Sequence, residues 1–210
     1  MIYLSADHHF WHTNVIEYCK RPYRSVEEMN EKLIVSWNCT VNPTDVVYYL
    51  GDFSMACRPV ETITPRLNGI KKLIPGNHDW VFPSHKKYKS DSEKWLEFYA
   101  QAGWEILPIH FELQVPGLAT FNLGHLPYEF DMAHMVDENG KVKQDKHSHW
   151  RLKDDGRFLL HGHVHQHWIK KNRQINVGVD VWGFKPVNLD QIKEAMDDPR
   201  ENILQGGLST

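Results

Sequence analysis

Short apolar runs, each stopping at a carboxylate or an imidazole, punctuate this chain. Ile2 to Ser5 leads to Asp7-His8-His9, Val46 to Leu50 to Gly51-Asp52, and Lys72 to Pro75 to Gly76-Asn77-His78-Asp79. Ala119 to Leu123 leads in the same way to Gly124-His125, and Phe158 to Leu160 to His161-Gly162-His163-Val164-His165. Short apolar runs closed by turn residues read as buried strands that deliver polar side chains to a sheet edge. Between the first two runs, Ser25 and Glu28 form a capping-box pattern, and Val26, Met29, Leu33, Ile34 and Trp37 then recur at helical spacing, which predicts an amphipathic helix. A second helix is expected over Ser92 to Ala102, stopped by Gly103, and a third from Asn188, with Gln191 three residues on.

Beyond the second helix the pattern turns toward strands: Glu105 to Ile109, Phe111 to Val115, Ala119 to Leu123, Phe158 to Leu160 and Gln174 to Val179. Early interleaving of strand and helix followed by a strand-rich half predicts an α/β sandwich. At 210 residues the chain suits a single domain, 1–210, with a polar stretch from Tyr128 to Gly156 too long for a plain connection. That stretch reads as a functional loop or as disorder.

Composition narrows the functional classes. With 41% apolar and 24% charged residues the chain is an ordinary globular protein. A net charge of -3 gives no bulk attraction to polyanions, so strong nonspecific nucleic-acid binding is not expected. Cys19, Cys39 and Cys57 are odd in number and widely spaced, which predicts reduced, buried thiols rather than a disulfide framework or a thiolate metal site. No apolar run is long enough for a signal region or a membrane span, so a cytoplasmic protein is expected. Fourteen histidines are more than a chain of this length needs for packing, and they draw attention to imidazole chemistry.

Open α/β sheets bind ligands beyond their strand C-termini, so the five motif ends can converge although they are distant in sequence. Carboxylate and imidazole donors suit Mn, Fe, Zn, Ni or Mg, with Mn the first choice, and the absence of cysteine from the set disfavours a closed structural zinc site. Two ions about 3.5–4 Å apart can stabilise the attacking and leaving oxygens of a phosphoryl displacement if a carboxylate bridges them, and Asp52 is the first candidate for the bridge.

The ordered motifs Asp7-x-His9, Gly51-Asp52, Gly76-Asn77-His78-Asp79, His125 and Gly162-His163-x-His165 resemble those of the calcineurin-like metallophosphoesterase superfamily, and most closely its small phage and bacterial members. The resemblance spans roughly residues 1 to 185 and implies a two-sheet αββα sandwich with the metal site at the strand C-terminal ends. It implies that Asp7, His9, Asp52 and His165 hold one divalent ion and that Asp52, Asn77, His125 and His163 hold the other. It also implies that water activated between the ions attacks the phosphoryl group. His8 would point elsewhere, while His78 would face the substrate and protonate the leaving oxygen, with Asp79 orienting it. The second motif, Gly51-Asp52-Phe53-Ser54-Met55-Ala56, departs from that of the protein-phosphatase branch. A small or accessible ester is therefore expected, a nucleotide-like phosphodiester or phosphomonoester. A phage-encoded member would act in the host cytoplasm.

His12, Asn14 and Arg21 follow the first ligand pair and are candidates for contact with a phosphate or base, or else for helix capping and a solvated face. His134, His147, His149 and Trp150 could form a lid over a nucleobase, although a solvated loop is the plainer reading. His85, His110 and His167 read as structural. A noncatalytic metal-binding or interaction module is the rival function, and retention of His78, which ligates nothing in the implied scheme, speaks against it. Oligomeric state is not encoded in any pattern found.

Overall fold

The computed structural model describes residues 1–128 and 145–200. Most of the long polar stretch, and His134 with it, lies outside the described residues. The strands are β1 (Ile2–Ser5), β2 (Val46–Tyr49), β3 (Ile70–Leu73), β4 (Trp104–Ile106), β5 (His110–Val115), β6 (Ala119–Gly124), β7 (Leu159–His161), β8 (Lys170–Lys171), β9 (Gln174–Asn176) and β10 (Val187–Asn188). The α-helices are α1 (Thr13–Tyr18), α2 (Val26–Asn38), α3 (Cys57–Ile63), α4 (Lys86–Ser90), α5 (Ser92–Ala102) and α6 (Leu189–Asp197).

Two five-stranded sheets result, in the orders β10-β1-β2-β3-β4 and β5-β6-β7-β9-β8. In the first, β1 to β4 run parallel and β10 is antiparallel to β1. In the second, β6, β7 and β9 run parallel, flanked by antiparallel β5 and β8. Alternation along the central strands serves two cores. Tyr3, Val47, Tyr49 and Leu73 join the helical residues Met29, Leu33, Trp37, Val60 and Tyr99 in one cluster. Leu4, Tyr48, Leu50 and Ile74 meet Leu113, Phe121, Leu123, Leu160 and Ile175 of the second sheet in the other. Period-2 strands buried on both faces thus make a mixed α/β sandwich.

The long helices begin and end where their caps dictate. Ser25 Oγ accepts from the Glu28 amide at 3.2 Å, but the Glu28 carboxylate reaches the Arg24 amide rather than that of Ser25, so the box is not reciprocal. At α6 both halves of the box are made between Asn188 and Gln191. α5 closes at Gly103, whose φ of 108° a side chain would disfavour. The strand expected over Glu105 to Ile109 stops at Ile106 because Pro108 has no amide to donate. The one expected to reach Val179 stops at Asn176, whose Oδ1 accepts from the Gly178 amide at 2.8 Å and turns the chain into a 3-10 helix over Val179–Val181. None of the three cysteines forms a disulfide, as expected, but none is fully buried either: Cys19 and Cys57 are partly buried and Cys39 is exposed at the C-cap of α2. No described helix is long and apolar enough to cross a membrane.

Candidate metal centre

Hydrogen bonding continues past the ends of β1 and β2. Asp7 N donates to Gly51 O at 3.0 Å and His9 N to Asp52 O at 3.1 Å, so the two motif loops run side by side. Close approach explains the motif glycines: a Cβ on Gly76 would lie 2.3 Å from Asp52 Oδ1, and one on Gly162 would lie 2.7 Å from Asp7 Oδ2. Asp7, His9, Asp52, His163 and His165 all adopt left-handed backbone, with φ of 61°, 50°, 58°, 73° and 48°. Such strain persists only where surrounding structure fixes it, and it gathers at functional sites.

Carboxylates do that fixing. Asp79, fully buried, accepts from the amides of Gly76, Asp52 and Phe53 at 2.8, 2.9 and 3.0 Å, tying the second motif to the third. Asp52 Oδ1 accepts from His78 N at 2.9 Å, and Asp7 Oδ2 accepts from His163 N at 2.8 Å, which ties the first motif to the last. One oxygen of each candidate ligand carboxylate is thereby spent on the scaffold. Its mate, Asp52 Oδ2 or Asp7 Oδ1, is left for the centre.

Ligand atoms of Asp7, His9 and His165 lie within 4.8 Å of one another, and so do those of Asp52, His125 and His163. Asp52 Oδ2 stands between the two groups, 3.5 Å from His9 Nε2 and 3.3 Å from His125 Nε2. Asp7 Oδ1, Asn77 Oδ1, both nitrogens of His9 and His125 Nε2 are buried without a hydrogen-bond partner among the described residues. Buried polar atoms are rarely left so, and a convergent set of oxygen and imidazole donors fits divalent cations. The imidazoles are oriented from behind: His125 Nδ1 lies 2.7 Å from Leu50 O, and His165 Nδ1 lies 2.9 Å from Asp180 Oδ2.

Without a cation, the buried carboxylates and imidazoles perturb one another. Burial pushes the Asp7 carboxyl up to about 6. Burial would also raise Asp52, but His125 and then His78 hold it well below the usual carboxylate range. His125, which burial alone would lower, is lifted to about 9 by Asp52. His9 is kept well below the usual imidazole value by burial.

The expected substrate-side residues fare unequally. The His78 ring, 41% exposed, has Nε2 4.0 Å from Asp52 Oδ2 and its centroid 5.5 Å from that of His9. Asp79 was expected to orient His78; its carboxylate serves main-chain amides instead. His12 precedes α1 without capping it and tilts against His9 at 5.5 Å. Asn14 is exposed on α1. Arg21, a candidate for contact with a phosphate or base, is 4% exposed and bonded to Asp180 and to the carbonyls of Asp7 and His8, so its guanidinium is committed to the scaffold. His8 is buried among Phe10, Trp37 and Tyr49, with Nδ1 3.0 Å from the Tyr49 hydroxyl. His147 packs on Phe82, and Trp150 on the same ring, at 5.9 and 5.7 Å. Burial lowers His147, while its first charged neighbour, Asp145, opposes that shift. His85 caps α4 and His110 lies 2.9 Å from Trp150 O, structural roles as expected. Asp180 carries a single signal in the sequence, a carboxylate inside the mostly apolar stretch from Ile175 to Trp182, and was not among the candidates.

No protein-family model matches the chain. It is 31% identical over 206 residues to the uncharacterized protein MJ1445 of Methanocaldococcus jannaschii, covering 93% of this chain and 91% of that one. It is 30% identical over 209 residues to the gene 66 protein of Mycobacterium phage L5, covering 95% of each. A protein of unknown function, AQ665 from Aquifex aeolicus, has a crystal structure that superposes with a TM-score of 0.61 at 21% identity, over 93% of this chain and 98% of that one, and so shares the fold.

Proposed function

The chain belongs to the family of the Methanocaldococcus and mycobacteriophage proteins, and we propose that it is a metal-dependent phosphoesterase of the calcineurin-like metallophosphoesterase superfamily. Its substrate is a nucleotide-like phosphodiester or phosphomonoester. One observation carries the reading: His9 and His125, delivered by different strand ends, each bring a buried Nε2 without a hydrogen-bond partner within 3.5 Å of Asp52 Oδ2. In this reading Asp7, His9, Asp52 and His165 hold one cation and Asp52, Asn77, His125 and His163 hold the second, with Mn the first choice. When bound, two such ions supply Lewis-acid stabilisation of the phosphoryl oxygens and lower the pKa of water.

The rest of the chemistry falls to side chains. Half-exposed beside the centre, His78 keeps its main-chain amide on Asp52 Oδ1, which sets its distance from the bridging carboxylate. From Nε2 it hands a proton to the leaving oxygen as general acid. His12, on the His9 side, positions the ester. The protein acts in the cytoplasm, that of the host for a phage-encoded member.

Metal-stripped protein should hydrolyse neither bis-nitrophenyl phosphate nor nitrophenyl phosphate, and Mn should restore turnover on at least one of them. Asp52→Asn should lower bound metal, measured by elemental analysis, and bring turnover to background. Undiminished hydrolysis after verified metal removal would sink the reading. Mn binding with no hydrolysis across a broad panel of nucleotides and diesters would favour the noncatalytic module.

A further inference from the structure

Behind the candidate ligands, one buried group is wired to half of the centre only. Arg21 Nε donates to Asp180 Oδ1 at 2.7 Å and Nη2 to Asp180 Oδ2 at 2.9 Å. Nη1 donates to His8 O at 2.7 Å, and Nη2 also to Asp7 O at 2.6 Å. Asp180 Oδ2 in turn lies 2.9 Å from His165 Nδ1. A single guanidinium therefore grips the loop that presents Asp7 and His9 and, through one carboxylate, the ring of His165. Those are the three residues of one candidate cation position. At the other position, the counterpart ring of His125 rests on a main-chain carbonyl, Leu50 O, at 2.7 Å.

The difference has a physical consequence. Both acceptors select the imidazole tautomer that leaves Nε2 for a cation, but a carboxylate also raises the basicity of the ring it holds, and an uncharged carbonyl does so less. Arg21 adds a second effect: two of the three ligands on its side sit in left-handed backbone whose carbonyls or neighbours it clamps, so less order has to be imposed when a cation arrives.

We propose that Arg21 and Asp180 are positioning residues that make the Asp7–His9–His165 position the tighter of two unequal cation positions. The inference rests on the two-cation reading above, and its test separates the two. Metal-stripped protein is titrated with Mn(II), with free Mn followed by electron paramagnetic resonance and heat by calorimetry. Two classes of site are expected, the tighter abolished by His165→Ala and the weaker by His125→Ala. Asp180→Asn should weaken the tighter class about 10- to 100-fold and leave the weaker one unchanged. Because that variant strands a buried guanidinium, Arg21→Met with Asp180→Asn, which removes both charges, is measured beside it and should show the same selective loss. Thermal unfolding of each metal-free variant tells loss of fold from loss of affinity. If neither variant folds, the two histidine variants still decide the asymmetry. Equal affinities, the reverse assignment, or equal weakening of both classes overturns the proposal alone. Absence of Mn binding by the unmodified protein overturns the two-cation reading with it.

Discussion

In the proposed reading, His78 and Asp79 of the third motif divide chemistry from scaffold. The ring of His78 is half-exposed and makes no hydrogen bond among the described residues, yet it stands 4.0 Å from Asp52 Oδ2, a placement that packing does not account for. His78→Ala keeps the main-chain amide that holds Asp52 Oδ1, so metal content should stay normal. General acid catalysis contributes typically about 10²- to 10⁴-fold, and turnover on alkyl or ribose esters should fall by that much. A nitrophenolate needs little protonation, so the loss should be smaller on nitrophenyl esters; equal losses would point to binding rather than proton donation. Asp79 predicts the opposite pattern. Its carboxylate satisfies three buried amides, and stranding a buried donor costs about 1–3 kcal/mol, so Asp79→Ala should lower unfolding stability by roughly 3 kcal/mol or more. A denaturant midpoint close to that of the parent would show that water replaces the carboxylate.

What the elements share is that the tightest contacts lie beyond them, in the loops after β1, β2, β3, β6 and β7. Gly76 marks the closest approach, where an added Cβ would meet Asp52 Oδ1 at 2.3 Å and Asp52 N at 2.4 Å. Gly76→Ala must therefore displace the candidate bridge, and it should cost metal binding while circular dichroism still reports α2 and α5. Retention of full Mn affinity in that variant would mean that the loop yields freely. The loops were legible in the sequence because each follows an apolar run, and α2, α5 and α6 were legible because Ser25, Gly103 and Asn188 cap them. Helices α1, α3 and α4 were not, since none completes more than two turns and their apolar residues fix no period. The role of Arg21 was not legible for a different reason. Its position in sequence, soon after the first ligand pair, suggested a substrate, whereas Asp180, 159 residues away, decides where it points. Left-handed backbone at five candidate ligands was not legible either, because aspartate and histidine enter that region more often than most side chains but still only in a small minority of positions.

Taken as one molecule, the protein gathers buried carboxylates and imidazoles from the strand ends of both sheets, which links its stability to protons and, in the proposed reading, to cations. In the metal-free state His125 is raised to about 9 from an ordinary value of 6.5. The folded form thus holds that proton more tightly than the unfolded chain does. The resulting stabilisation is complete below about pH 6.5 and is lost as pH rises through about 9. His165 is shifted in the same direction: burial would lower it, but Asp180 and Asp7 lift it well above the ordinary value. Asp79, pushed up to about 7 by burial and then by the charge of Asp52, also favours the protonated fold and loses that contribution as pH rises through 7. His9, lowered by burial, acts only below its unfolded value and does not oppose the trend above pH 7. The unfolding midpoint of chelated protein should therefore fall between pH 7 and pH 8.5. Cations that bind only the folded state add stability by mass action, about 2.7 kcal/mol at a hundred times their dissociation constant, and they need His125 deprotonated. The increment in midpoint produced by a fixed, oxygen-free concentration of Mn should accordingly be larger at pH 8.5 than at pH 7. Calorimetry at the two values, with chelator and with Mn, measures both slopes. A Mn increment that stays constant or shrinks with rising pH would show that the cations bind without displacing the proton on His125, and would remove that residue from the candidate ligand set.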